Sequence, residues 1–149
     1  MIIIKKGNLL EATESLICHQ VNENGVMGGG LALQIANKYP MVEVAYRTFV
    51  EKNNDYKLLG EYQVIGINKD QSIVNCFTQK NFNTSYDLIE KIFRELKKIH
   101  PHRSIAIPFN YGCGIANGDF TKVLEILTDI FDDTDITIYK YEVQNDSNL

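Results

Sequence analysis

Three consecutive glycines, Gly28-Gly29-Gly30, stand between an apolar run ending at Val21-Asn22 and a segment with helical periodicity. A strand that turns through glycine into a helix restricts the chain to folds in which a sheet edge carries a loop with an exposed main chain. Without Cβ atoms the backbone can approach a ligand closely. The first N–H groups of the helix lack intrahelical partners and lie at the positive end of its dipole. Those donors suit an anion such as a phosphate or diphosphate. The same glycines also serve a tight strand-to-helix connection with no ligand, and both readings stay open at this point.

The rest of the chain alternates in the same way. Ile2–Ile4 and Ser15–Val21 read as strands. From Gly30 the apolar spacing becomes helical through Leu31, Ile35 and Tyr39, and Pro40 ends that helix and opens the next. Met41, Val44, Ala45 and Phe49 read as the inward face of the second helix. Glu61–Ile67 and Ile73–Phe77 read as two strands joined by the turn Asn68-Lys69-Asp70-Gln71. Thr84-Ser85-Tyr86-Asp87 opens a helix with Ile89, Ile92, Phe93, Leu96 and Ile99 on one side. Ser104–Ile107 is a strand closed by Pro108, and a second glycine-rich loop, Phe109–Gly118, follows it. Asp119 caps a helix whose core face is Phe120, Val123, Leu124, Leu127, Ile130 and Phe131. Ile136–Tyr141 is the last strand, and residues 143–149 form a polar tail expected to be mobile.

Alternating strands and helices predict a central sheet covered on both faces, with the adjacent strand pair making it mixed. In such a sheet, ligands settle beyond the carboxyl ends of the strands. Both glycine-rich loops follow a strand and open a helix, so they are expected to converge on one extended anionic ligand.

Composition narrows the classes of function. At 149 residues the chain fits one domain, and a formal net charge of −4 argues against binding a nucleic-acid backbone. Cys18, Cys76 and Cys113 are odd in number and widely spaced, which fits a reducing compartment. No apolar run spans a bilayer, and the charges of Lys5-Lys6 fall on the wrong side of Ile2-Ile3-Ile4 for a signal peptide. The expectation is a cytoplasmic protein, a monomer, without a membrane or nucleic-acid partner.

Several apparent motifs fail on inspection. Gly30 is followed by Leu31-Ala32 instead of Lys-Ser/Thr, and Leu33 stands where a dinucleotide fingerprint needs its third glycine. Asp133-Thr134-Asp135-Ile136-Thr137 spells an aspartyl-phosphatase pattern but precedes its strand, at the wrong end of the sheet. None of the three cysteines has the arginine six residues on that a cysteine phosphatase needs, so Cys113 reads as a small loop residue. His100-Pro101-His102 lies in a turn without further ligands. His19, at the mouth of the first loop, reads either as an acid/base group or as a hydrogen-bonded strand-end histidine.

Gly7-Asn8-Leu9-Leu10, Ile17–Asn22, Gly25–Ala32 and Pro108–Gly114 together resemble the macrodomain family, over nearly the whole chain. The segment from His19 to Tyr39-Pro40 is similar to its ADP-ribose 1''-phosphate phosphatase subgroup. Thr134–Tyr139 and Gly112-Cys113-Gly114 resemble the terminal ADP-ribose–protein glycohydrolase branch. The resemblance implies a three-layer α/β/α fold over a mixed, roughly six-stranded sheet, spanning residues 1–142, with an ADP-ribose cleft and neither cofactor nor metal.

Carried over by position, the resemblance puts Asn8, where the family usually has Asp, at the adenine amino group, and the main chain of Leu9 at the ring. Asn22 would bond the distal ribose. Val26, Met27, Gly28, Gly29, Gly30 and Leu31 would wrap one side of the diphosphate. Asn110, Tyr111, Gly112, Cys113, Gly114 and Ile115 would wrap the other side and the distal ribose. Tyr141, or alternatively Tyr139, would stack on adenine. His19 and Asn22 are the catalytic candidates. The glycohydrolase branch's aspartate position holds Ala116 and its lysine position Gln79, with Lys80 one residue on. The expected activity is therefore removal of the terminal phosphate of ADP-ribose 1''-phosphate. The alternatives are a non-catalytic ADP-ribose reader and a hydrolase of ADP-ribosylated protein or O-acyl-ADP-ribose.

Overall fold

The computed structural model describes residues 1–53, 57–80, 83–113 and 118–141. Its elements follow in the order β1 (Ile2–Lys6), a single 3-10 turn (Leu9–Glu11), β2 (Leu16–Asn22), α1 (Gly30–Lys38), α2 (Pro40–Lys52), β3 (Tyr62–Gly66) and β4 (Ser72–Lys80). β5 (Asn83–Thr84), α3 (Tyr86–Ile99), β6 (Ile105–Pro108), α4 (Phe120–Ile130) and β7 (Ile136–Lys140) complete it. The strands form one sheet in the order β1-β7-β6-β2-β4-β3, with β5 paired to β4 off that path. β3 and β5 run antiparallel to β4, and all other pairings are parallel. Five parallel strands therefore end along one edge of a mixed sheet.

Alternation along β2 shows how the layers separate. Leu16 and Cys18 enter a core with Ile92, Phe93 and Leu96 of α3 and with Val123 and Leu127 of α4. Ile17 and Val21 enter a second core with Ile35 of α1 and with Val42 and Tyr46 of α2. The three layers are as expected. The seven strands of the described residues are close to the roughly six expected, β5 being the addition. β5 has only two residues, which is too short for any periodic pattern to register.

The β3–β4 turn is held by Asn68 Oδ1, which accepts the Asp70 N–H at 2.9 Å, and by Ile67 N–H donating to Gln71 O at 3.0 Å. Asp119 caps α4 as expected, its carboxylate accepting the Thr121 N–H at 3.0 Å. The face assigned to α2 needs correction. Met41 and Val44 are more than half exposed, and Val42 and Tyr46 face the core instead. Both stripes obey helical spacing, and Phe49 of the expected one does pack, half-buried, against Phe77 with ring centroids 5.8 Å apart. Ile99, at the last turn of α3, is likewise exposed. Among the described residues no helix is long and apolar enough to cross a membrane.

Candidate active site

At the carboxyl edge of the sheet lies a cleft of about 560 Å³. One wall is Asn22, Val26, Gly28, Gly29, Gly30, Leu31 and Ala32; the other is Pro108 to Cys113; His19, Gln20, Val21 and Gln79 also line it. The two loops that the sequence singled out thus face one another. A second hollow of about 280 Å³ adjoins this cleft, sharing Leu31, Pro108, Phe109 and Asn110 with it. Asn8, Leu9, Gln34, Tyr139, Lys140 and Tyr141 complete its lining.

The first wall is shaped around Asn22. Its Nδ2 donates to Val26 O at 3.1 Å and its Oδ1 accepts the Asn24 N–H at 2.9 Å. Beneath it, the buried Tyr46 hydroxyl lies 2.5 Å from Asn22 O and 2.8 Å from Asn22 Oδ1, and accepts the Gly25 N–H at 3.2 Å. Burial pushes the Tyr46 phenol up to about 12, so it stays protonated and able to donate. Asn22 therefore holds the loop from within. Gly29 caps α1 with no side-chain hydrogen bond. The first-turn N–H groups stand at the cleft wall, as an anion-binding helix start requires. Met27, assigned to this wall from sequence, is 5% exposed and packs into the α1–α2 core instead of lining the cleft.

The second wall is held by a chain of hydrogen bonds invisible to motif reading. The Tyr111 hydroxyl meets Thr78 Oγ1 at 2.9 Å, and Thr78 donates to Gln20 Oε1 at 2.7 Å. Gln20 Nε2 donates to Thr84 Oγ1 at 3.4 Å, and Thr84 in turn donates to Gly112 O. The chain leaves the loop at Tyr111 and returns to it at Gly112. Asn110 at φ 63° and Gly112 at φ 73° give the loop its left-handed turns. Cys113 donates to Tyr111 O at 3.3 Å, and partial burial plus the Asp119 charge raise its thiol pKa. That disfavours a thiolate. Gly114, Ile115 and Ala116 lie outside the described residues, as does the tail assigned to 143–149.

His19 lies deeper than its place in sequence suggested. It is 1% exposed, with its ring on the α1–α2 side of the sheet. Its Nε2 lies 2.6 Å from Asn75 Oδ1, Asn75 Nδ2 donates to Gln63 Oε1 at 3.1 Å, and Gln63 Nε2 donates to Ala45 O at 3.0 Å. Because Asn75 presents its oxygen, Nε2 carries the proton and Nδ1 the lone pair. Among the described residues Nδ1 is buried without a partner. Desolvation lowers the His19 pKa to about 4, the Asn75 bond opposing it weakly, so the ring is neutral at pH 7.

In the adjoining hollow, Asn8 caps the 3-10 turn, its Oδ1 accepting the Leu10 N–H at 2.9 Å. Tyr139 is tied through its hydroxyl to the buried Glu14 carboxylate, whereas Tyr141 is 64% exposed. Gln79 lines the cleft and Lys80 does not, as alternation along β4 requires. Asp133 pairs with Lys97 at the opposite end of the sheet, leaving the aspartyl-phosphatase pattern far from the cleft. Among the described residues no three His, Cys, Asp or Glu side chains converge to hold a metal.

Known proteins share both the pattern and the fold. The chain superposes on the macrodomain of Mycobacterium tuberculosis DarG with a TM-score of 0.78 and 27% identity, covering 93% of this chain and 97% of that one. The chain has the macrodomain fold. An ADP-ribose 1''-phosphate phosphatase from Candida glabrata is 38% identical over 74 residues, 48% of this macrodomain and 41% of that protein. A DNA ADP-ribosyl glycohydrolase from Mycobacterium bovis is 29% identical over an alignment covering 93% of the chain and 42% of its own length. This macrodomain thus spans about two fifths of the curated relatives it matches. No protein-family profile matches it.

Proposed function

We propose that this macrodomain binds an ADP-ribose derivative and hydrolyses it at the distal ribose, with ADP-ribose 1''-phosphate as the leading substrate. The observation that carries the reading is the pair of main-chain walls facing one cleft that runs on into a second hollow. The main cleft suits a diphosphate and distal ribose, and the hollow between Asn8 and Tyr141 suits a nucleobase. The names of both curated relatives support ADP-ribose chemistry.

In this reading the amide groups of Gly28–Leu31 and Asn110–Cys113 hold the diphosphate and position the terminal ester. Water attacks phosphorus, the bond from phosphorus to the 1''-oxygen breaks, and that oxygen takes up a proton, returned by way of the imidazolium, as ADP-ribose and inorganic phosphate leave. His19 Nδ1, neutral and unpaired, takes the proton from water. A base with a pKa near 4 is weak. A phosphate arriving beside it raises that pKa by favouring the imidazolium. Asn22 acts by holding the Val26 turn in place. The test is phosphate release from ADP-ribose 1''-phosphate. His19→Ala should lower turnover while sparing ADP-ribose affinity, and unchanged turnover would remove His19 from the mechanism.

One observation favours a reader instead. Of the described residues lining the main cleft, only His19, Tyr111 and Cys113 titrate, and burial holds each of them neutral. A reader binds ADP-ribose and releases nothing from any derivative. ADP-ribosylated protein, O-acyl-ADP-ribose and ADP-ribosylated DNA belong in the same assay, the last because of the second relative's name.

A further inference from the structure

A row of polar side chains crosses the apolar face of the sheet that α1 and α2 cover. Gln63 on β3, Asn75 on β4 and His19 on β2 are register partners across three neighbouring strands. The rows beside them are apolar, with Ile65, Ile73 and Ile17 on one side and Phe77 with Val21 on the other. Asn75 is 0% and His19 1% exposed. Polar groups at that depth are costly unless each is paired.

The pairing is complete except at one atom. Ala45 O, a carbonyl within α2, can only accept, so the Gln63 group 3.0 Å from it is Nε2. Gln63 thereby turns Oε1 towards Asn75, whose Nδ2 donates to it at 3.1 Å. Asn75 is left presenting Oδ1 to His19 Nε2 at 2.6 Å. Each bond leaves one choice for the next, and the last puts the proton on Nε2 and the lone pair on Nδ1. Among the described residues, that Nδ1 is the one buried side-chain nitrogen or oxygen without a partner. His19 lines the cleft, whereas Gln63 and Asn75 do not. A row serving stability alone would end on a partner, as its other end does on Ala45. This one ends on a free lone pair in a residue of the cleft.

We propose that Gln63, on the edge strand and outside the cleft, is a positioning residue that sets the tautomer of His19 through Asn75 and so keeps Nδ1 able to accept a proton. Its catalytic consequence rests on His19 being the base of the proposed function; the tautomer itself does not. Were Asn75 turned over, its Nδ2 would donate to Nε2 and the ring proton would sit on Nδ1. His19 would then have no lone pair left with which to take a proton from water.

The test is long-range proton–nitrogen NMR of the His19 ring at pH 7, where the ring is neutral, beside phosphate release from ADP-ribose 1''-phosphate. The whole chain and three variants are compared. The wild-type ring should be protonated on Nε2 alone. Gln63→Glu offers Asn75 only acceptors and should keep that tautomer and the turnover with it. Gln63→Lys offers only donors, satisfies Ala45 O and turns Asn75 over. It should move the proton to Nδ1 and cut turnover tenfold or more without raising KM. Gln63→Met, close in volume but with no N–H or oxygen, should show both tautomers, and it decides the matter should Gln63→Lys not fold. A wild-type ring protonated on Nδ1, or one tautomer common to every variant, overturns the inference and leaves the proposed hydrolysis standing. So does turnover that Gln63→Lys leaves unchanged after the proton has moved. The expected tautomers in a wild-type chain that releases no phosphate support the assignment of Gln63 and overturn the proposed function.

Discussion

Gly112→Ala probes the second wall directly. Gly112 sits at φ 73°, and a Cβ placed there would lie 2.9 Å from both Thr84 Cγ2 and Thr84 Oγ1. The left-handed backbone costs a non-glycine residue about 1 kcal/mol or slightly more. Thr84 cannot retreat freely, because its hydroxyl donates to Gly112 O and accepts from Gln20. Losing one such bond adds about 1 kcal/mol. The sum is about 2–3 kcal/mol, read by urea unfolding. Gly30→Ala is the matched control: its φ is 54°, yet nothing lies within 4 Å of the added Cβ. It should therefore cost only the torsional share, about 1 kcal/mol. Thr84→Ala should cost less in the Gly112→Ala background than alone, because there it relieves the overlap as it removes the bond. Equal losses in the two glycine variants, with additive effects at Thr84, would refute this account of the loop.

Other expectations follow from the same geometry. Tyr46→Phe removes the hydroxyl that ties Asn22 to Gly25 and should cost about 1–3 kcal/mol in unfolding, with a loss of ADP-ribose affinity. His19 binds a proton in the unfolded chain below pH 6.5 but in the folded chain only below about 4, so its contribution is present above pH 6.5 and lost as pH falls towards 4. That window amounts to about 3 kcal/mol, and His19→Gln should unfold with a correspondingly flatter dependence on pH. Lys80→Ala should leave turnover of every ADP-ribose derivative unchanged, and a tenfold or greater loss would point instead to lysyl chemistry.

Where the sequence was informative, the cause was local. Gly28-Gly29-Gly30, the cap Asp119 and the Asn68–Gln71 turn announce themselves because each acts within a few residues of chain. Their convergence then follows from parallel strands ending along one edge. What escaped was set across the sheet. The Tyr111–Thr78–Gln20–Thr84 chain joins four segments whose spacing in sequence carries no period. The depth of His19 depends on Asn75, fifty-six positions away on the neighbouring strand. Tyr46 is hidden in the sequence for a narrower reason: α2 has two apolar stripes, each with a ring against Phe77, and only the depth of burial separates them. Met27 likewise reads as loop until the core beneath takes it.

The measurement closest to the central claim is amide chemical-shift mapping as ADP-ribose is added. Facing walls predict that resonances from Val26–Leu31 and from Asn110–Cys113 move together along one saturation curve, with Leu9 and Tyr141 following it. Shifts confined to one loop, or two loops saturating at different concentrations, would contradict a single nucleotide held between them.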